Sequence, residues 1–214
     1  MRKIYVVGSG GFGREVLWLI ERINQVYPTW KIEGIIDDNV EQYNKNINGY
    51  RVLGGCDYFD DIEEEVFIVI AIGSPKVREK IVKKLEEYSN IRFAKIIDPT
   101  VILSEKVEIG EGTIICAGTI ITVNINIGKH VIINLDCTIG HDSILEDYTT
   151  VLPSVNLSGN TITQKYSTLG TGAKIIQGIS IGSNVMVGAG SVIIRNIPNN
   201  CTVVGNPGKI IKGE

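Results

Sequence analysis

From Ile97 to Ile193 an aliphatic side chain returns at every sixth residue. The series reads Ile97, Leu103, Ile109, Ile115, Ile121, Ile127, Ile133, Ile139, Leu145, Val151, Leu157, Thr163, Leu169, Ile175, Ile181, Val187 and Ile193, with sixteen of the seventeen aliphatic. Four residues after each of these stands a Val, Thr, Ile, Cys, Ser or Ala. A helix repeats every 3.6 residues and a strand every 2, so neither accounts for a period of six. Hexapeptide repetition is the signature of a parallel β-helix, whose stacked coils bury one continuous core. First and fifth positions then point inward, and third and fourth positions point outward. Thr163 interrupts the aliphatic series, and Leu152, Gln164, Ile176 and Ile194 occupy positions where small residues are preferred. Locally irregular coils are expected there.

The preceding residues have a different character. Up to Lys95 there are 14 Lys/Arg and 15 Asp/Glu, against 7 and 9 in the longer remainder. That step marks a domain boundary near residue 96. Lys3–Val7 is a short apolar strand ending in glycine, and Phe12–Asn24 carries Val16, Ile20 and Ile23 at helical spacing. Lys31–Asp37 reads as a second strand, and Val66–Gly73, continuous and rich in β-branched residues, as a buried one. Ser74-Pro75 opens a helix with Val77, Ile81 and Leu85 on one face. The alternation predicts a small parallel α/β sheet. The expected organisation is a Rossmann-like α/β domain over 1–96, an all-β parallel β-helix over 97–198 and a C-terminal tail over 199–214.

Net charge is −3 with no run of like charges, which argues against a nucleic-acid partner. The four cysteines (Cys56, Cys116, Cys137 and Cys201) form no CxxC pair, so no metal site is expected. Cys137 takes an inward fifth position, as a buried small residue and not a nucleophile. MRKIYVVGSGGFG lacks a cleavage region and is too short to span a bilayer, so a reduced cytoplasmic protein without membrane insertion is expected.

Gly8-x-Gly10-x-x-Gly13 stands between a strand and a helix, where glycines let a phosphate approach the helix N-terminus. Asp37 and Asp38 end the next strand, about 24 residues later, where an acid could meet a ribose. Taken alone, this motif points to a dinucleotide. Fewer than 100 residues, however, leave room for only half of a full dinucleotide-binding fold.

The tandem units IGEGTI, IGKHVI, IGHDSI and IGSNVM resemble the hexapeptide acyltransferases, and that resemblance implies a left-handed β-helix with three hexapeptides per coil. Residues 18 apart then stack, and at roughly 4.8 Å per coil just under six coils rise about 27 Å. Over its whole length the chain resembles the sialic acid O-acetyltransferase (NeuD) family, which includes the N-acetyltransferases of bacillosamine and perosamine biosynthesis. GSGGFGREV, GIIDDN, IAIGSPKVREKI, INLDCTIGHDSILEDY, LSGN and VVGNPGKIIK carry that resemblance. It implies acetyl-CoA as co-substrate, no metal, a homotrimer, and a sugar or sugar-nucleotide acceptor of surface-glycan biosynthesis. It also suggests Gly8, Ser9, Gly10, Gly11, Asp37, Asp38 and Gly73 as acceptor contacts, with Asn134 helping to place the acceptor. The coenzyme is expected along the later coils, at Gly159, Gly170 and Gly188 and at Gly205, Asn206 and Pro207.

His141 and Asp142, third and fourth in their hexapeptide, should face outward. They match the family's catalytic pair. A sugar amine or hydroxyl attacking a thioester must lose a proton, and imidazole is the side chain whose ordinary range lies nearest neutrality. Asp142 is the candidate orienting group, and the Gly159 N–H, one coil on, a candidate oxyanion donor. Two departures stand out. Thr150 occupies the position of the family's second histidine and is assigned to the acyl group in its place, while Phe12 replaces a histidine of the bacillosamine branch. His130 lies on another face and is expected to be solvated or at a subunit contact. Three readings remain open: a sugar-nucleotide N- or O-acetyltransferase or free sialic acid O-acetyltransferase, a non-catalytic β-helix binding protein, and an NAD-linked enzyme.

Overall fold

The computed structural model describes residues 1–213, in two compact units that divide between Pro99 and Thr100. Unit 1 holds β1 (Arg2–Val7), α1 (Gly11–Val26), β2 (Trp30–Ile36), β3 (Asn46–Ile47), β4 (Tyr50–Gly54), β5 (Val66–Ile70), α2 (Pro75–Leu85) and β6 (Ile91–Phe93). The sheet order is β3-β4-β2-β1-β5-β6, with every pair parallel except the β3–β4 hairpin. That hairpin lies in the polar stretch after Asp38, where no strand was expected. Ile4, Val6, Ile35, Ile36, Ile68 and Val69 are fully buried, as a parallel sheet covered by helices requires. The chain leaves β1 for β2 on one side and reaches β5 on the other, so the strand order reverses beside the carboxyl end of β1, where α/β sheets hold ligands.

Helix α2 corrects one expectation. Its packed face is Arg78, Val82 and Leu85; Val77 is 48% exposed and Ile81 half-buried. Arg78 displaces the aliphatic register because its guanidinium has carbonyls to satisfy: Nη1 donates to Ile72 O at 2.6 Å and Gly73 O at 3.1 Å. A buried arginine is stable only with such partners.

Unit 2 is a left-handed β-helix of three parallel sheets. One face stacks Ile114–Ile115, Ile132–Ile133, Thr150–Val151, Thr168–Leu169 and Met186–Val187. The second runs from Ile102–Leu103 to Val192–Ile193 and the third from Val107–Ile109 to Ser180–Ile181, every partner 18 residues away. From Thr113 onward first and fifth positions are buried, including Cys137, whose thiol burial pushes up to about 11; in the coil before, Leu103 is exposed and Val101, Val107 and Ile109 are half-buried. The corners follow the same period. Every sixth residue from Gly112 to Gly190 has positive φ, and Gly, Asn and Asp fill most of these places because they tolerate the left-handed region.

The coils carrying Leu152, Thr163, Gln164 and Ile176 keep the 18-residue register, whereas the coil that contains Ile194 is shorter, with Ile197 bridging Ile181 and Thr202 pairing with Met186, each 16 residues apart. Thr163 keeps perfect register between Leu145 and Ile181, its hydroxyl turned into the core without a partner. His130 is also unlike its expectation: it is 1% exposed and stacks on Tyr148, which stacks on Tyr166, with ring centroids 5.4 and 5.6 Å apart along one corner. The segment expected as a tail extends the first face. Thr202–Val204 pairs parallel with Met186–Val187, and Lys209–Lys212 returns antiparallel on it.

Candidate active site

The third and fourth positions of the hexapeptide beginning at Ile139 place His141 and Asp142 at one corner of the prism, each side chain 53% exposed. Asp142 adopts φ 58°, so its presence there also suits the turn. Its Oδ2 lies 2.8 Å from His141 Nδ1, and its Oδ1 accepts from Asn124 Nδ2 at 3.2 Å. The hydrogen bond with His141, and then that from Asn124, hold the Asp142 carboxyl below its ordinary range. An ionised carboxylate can only accept, so Nδ1 carries a proton toward it, and in the neutral tautomer this selects the lone pair falls on Nε2. That nitrogen lies over Gly159, where a Cβ would stand 2.4 Å from Nε2, 2.5 Å from Cε1 and 2.8 Å from Cδ2. Glycine here is the floor on which the imidazole rests. Ile144 and Ile162 on one side of this corner, and Ile176 and Ile194 on the other, are exposed apolar side chains.

The other candidates divide into those joined by contacts and those that are separate. Asn134 is buried, its Oδ1 accepting from Leu135 N at 2.8 Å. Thr150 is buried in the ladder between Ile132 and Thr168. Gly170 and Gly188 occupy tight second positions: a Cβ on Gly170 would meet Val187 O at 2.5 Å, and one on Gly188 would meet Val204 Cγ1 at 2.7 Å. Gly205, at φ 99°, starts the turn through Asn206 and a cis Pro207.

In unit 1 a cleft of about 310 Å³ opens at the carboxyl ends of β1 and β2. Gly8, Asp37 and Asp38 line one side; Ile72, Val77, Lys80, Ile81 and Lys84 line the other. Gly8 has φ 109°, and Gly13 lets α1 approach so closely that a Cβ would sit 1.9 Å from Gly8 O. Around Gly10 a Cβ would meet nothing within 4 Å, so packing does not explain that glycine, whereas approach of a ligand to the backbone would. Asp37 clamps the turn, accepting from Ser9 N at 2.9 Å, from the Ser9 hydroxyl, and from Asn39 N at 2.9 Å. Partial burial pushes its carboxyl up, but these donors together hold it below the ordinary range. Asp38 Oδ1 accepts from Cys56 N at 2.9 Å, fixing the end of β4; burial, then Asp38, pushes the Cys56 thiol up to about 12. Gly73 is exposed and is fixed through its carbonyl by Arg78.

Sequence reasoning missed Lys80, Lys84 and Asn124. Val77, Lys80, Ile81 and Lys84 form an i, i+3, i+4, i+7 stripe, a mixed apolar and basic face that could have been recognised as ligand-facing. Asn124 lies one coil before Asp142, a relation the 18-residue period already contains.

Residues 3–85 match the PglD N-terminal domain family. GDP-perosamine N-acetyltransferase of Escherichia coli O157:H7 is 26% identical over 97% of this chain and 95% of its own length. WeeI from Acinetobacter baumannii AYE is 33% identical, covering 99% of this chain and 100% of its own, with a TM-score of 0.89. PerB from Caulobacter crescentus, in complex with CoA and GDP-perosamine, is 26% identical over 99% of this chain and 98% of its own, also with a TM-score of 0.89.

Proposed function

Because the chain belongs to the hexapeptide-repeat sugar acetyltransferases that carry a PglD-type N-terminal domain, we propose that it acetylates the amino group of a nucleotide-linked sugar from acetyl-CoA. The observation that carries the chemistry is the His141–Asp142 pair, with Nδ1 held 2.8 Å from Asp142 Oδ2 and Nε2 lying over Gly159. Nε2 takes a proton from the amine as its nitrogen bonds the thioester carbonyl carbon. The imidazolium formed is stabilised by Asp142. It returns that proton to the sulfur as the carbon–sulfur bond breaks, giving an amide and free CoA thiol. Such a base contributes on the order of 10²–10⁴ in rate.

Gly159 is assigned the developing oxyanion. Ladder hydrogen bonds run from second, fourth and sixth positions, as at Gly140, Asp142 and Ile144. Third-position N–H groups at Lys129, Leu135, Lys165 and Ser183 are met by side-chain oxygens instead, so a third-position N–H such as that of Gly159 suits an outside acceptor. Asn134, Thr150, Gly170, Gly188, Gly205, Asn206 and Pro207 remain proposed contacts for the acceptor and coenzyme.

Unit 1 is assigned the nucleotide. Lys80 and Lys84 supply positive charge for a diphosphate, Val77 and Ile81 an apolar wall, and Gly8, Ser9, Gly10 and Gly11 backbone N–H groups at the start of α1, beside Asp37, Asp38 and Gly73. A homotrimer belongs to the same reading. The half-exposed pair and the apolar side chains flanking it suit a corner covered by another β-helix and by the coenzyme.

The test is thiol release from acetyl-CoA with GDP- and UDP-linked amino sugars, the same sugars without the nucleotide, and free sialic acid. Product mass reports one added acetyl group, and its resistance to mild base separates amide from ester. Amide formation on a nucleotide-linked sugar is expected. Transfer only to a free sugar hydroxyl would overturn the reading.

A further inference from the structure

Asp142 is held from two directions. His141 Nδ1 approaches Oδ2 at 2.8 Å from within the same coil, while Asn124 Nδ2 donates to Oδ1 at 3.2 Å from the coil before. Both oxygens of an exposed carboxylate are thereby engaged, which stops it turning about its own axis. Backbone bonds fix the same corner: Asp142 N donates to Val123 O at 3.1 Å, and Asn160 N to His141 O at 2.7 Å.

Stacked corner side chains bond each other elsewhere too, as Ser154 with Asp136 and Asn184 with Asn200. Those pairs need no role beyond the turn. What distinguishes Asn124 is that its acceptor carries the imidazole on the other oxygen. Asn124 also meets three requirements together. It has φ 56°, which asparagine tolerates; it presents a donor and not a second acceptor; and it is neutral, so it steadies Asp142 without altering the charge of the pair.

We infer that Asn124 is a positioning residue for acetyl transfer, acting through Asp142 to fix the tautomer and aim of His141. This rests on the reading of His141 as the base. The charged groups beside it are Asp142 itself and Glu105, Lys106 and Glu108, which line the cleft that Asn124 shares.

Two variants separate this role from turn formation. Asn124→Gly suits the left-handed corner and removes the donor. Asn124→Asp keeps size and turn preference but sets a second carboxylate against Asp142. The trimeric or native enzyme is assayed with acetyl-CoA and the amino-sugar acceptor across pH, beside His141→Ala. For Asn124→Gly the expected result is a kcat lower by about tenfold, with KM and melting temperature close to the parent. For Asn124→Asp the added negative charge favours the imidazolium, so the acid limb of kcat moves to higher pH by about half to one unit. Parental kcat and an unmoved acid limb in both variants, with His141→Ala inactive, would overturn the role of Asn124 alone. Full activity of His141→Ala would overturn the base reading and this inference with it. If Asn124→Gly fails to fold, the acid limb of Asn124→Asp decides.

Discussion

Gly159→Ala is the substitution that addresses the imidazole without touching it. A Cβ there would stand 2.4 Å from Nε2, 2.5 Å from Cε1 and 2.8 Å from Cδ2 of His141, where ordinary contact begins near 3.4 Å. The ring must retreat by about 1 Å, and a misplacement of that size costs on the order of 10² in rate. That corresponds to about 2.7 kcal/mol of transition-state stabilisation. Stability should hardly change, because the atoms in the way belong to a half-exposed side chain that can swing outward and Gly159 does not occupy the left-handed region. The assay is a double-mutant cycle on kcat/KM, read by thiol release, with melting temperature as the control. Gly159→Ala should cost about a hundredfold in the parent and almost nothing in a His141→Ala background, because groups acting as one unit are not additive. An equal loss in both backgrounds would mean that the methyl group obstructs substrate independently of His141, and would refute the reasoning.

Two further predictions concern stability. Thr163→Val exchanges a buried, partnerless hydroxyl for a methyl group of the same shape, and should raise stability by about 1 kcal/mol in urea unfolding of the β-helix; a loss instead would show that the hydroxyl has a partner. Arg22→Ala strands Asp98, whose side chain is fully buried and accepts from Arg22 Nε at 2.6 Å; removing one partner of such a pair should cost about 3 kcal/mol, the low end for a pair whose arginine is partly exposed, and an unchanged melting curve would show that the remaining partners of Asp98 suffice.

The β-helix was legible because one repeat controls three things at once. The period of six sets which side chains are inward, which residues face each other across coils, and where the corners fall. Ile139 and Ser143 are buried and His141 and Asp142 exposed as that period requires. Legibility failed where the outcome depends on partners the repeat does not encode. His130 sits in an outward fourth position yet is buried, because Tyr148 and Tyr166 stack along the same corner and Gly112 leaves room beneath its ring. On α2 the face expected to pack was Val77, Ile81 and Leu85, but the carbonyls of Ile72 and Gly73 draw Arg78 inward and leave Val77 and Ile81 lining the cleft. Asn124 stands one 18-residue step before Asp142, but Asn also fills the corner positions at 160 and 184 for the sake of the turn, so residue type alone does not single it out.

The central claim is that His141 removes the proton from the attacking amine. The direct measurement is single-turnover acetyl transfer by His141→Ala and His141→Asn, with acetyl-CoA and a nucleotide-linked amino sugar, beside the binding affinity for both substrates. Rates lower by about 10²–10⁴ with affinities close to the parent are predicted. Transfer at the parental rate by either variant would contradict the account.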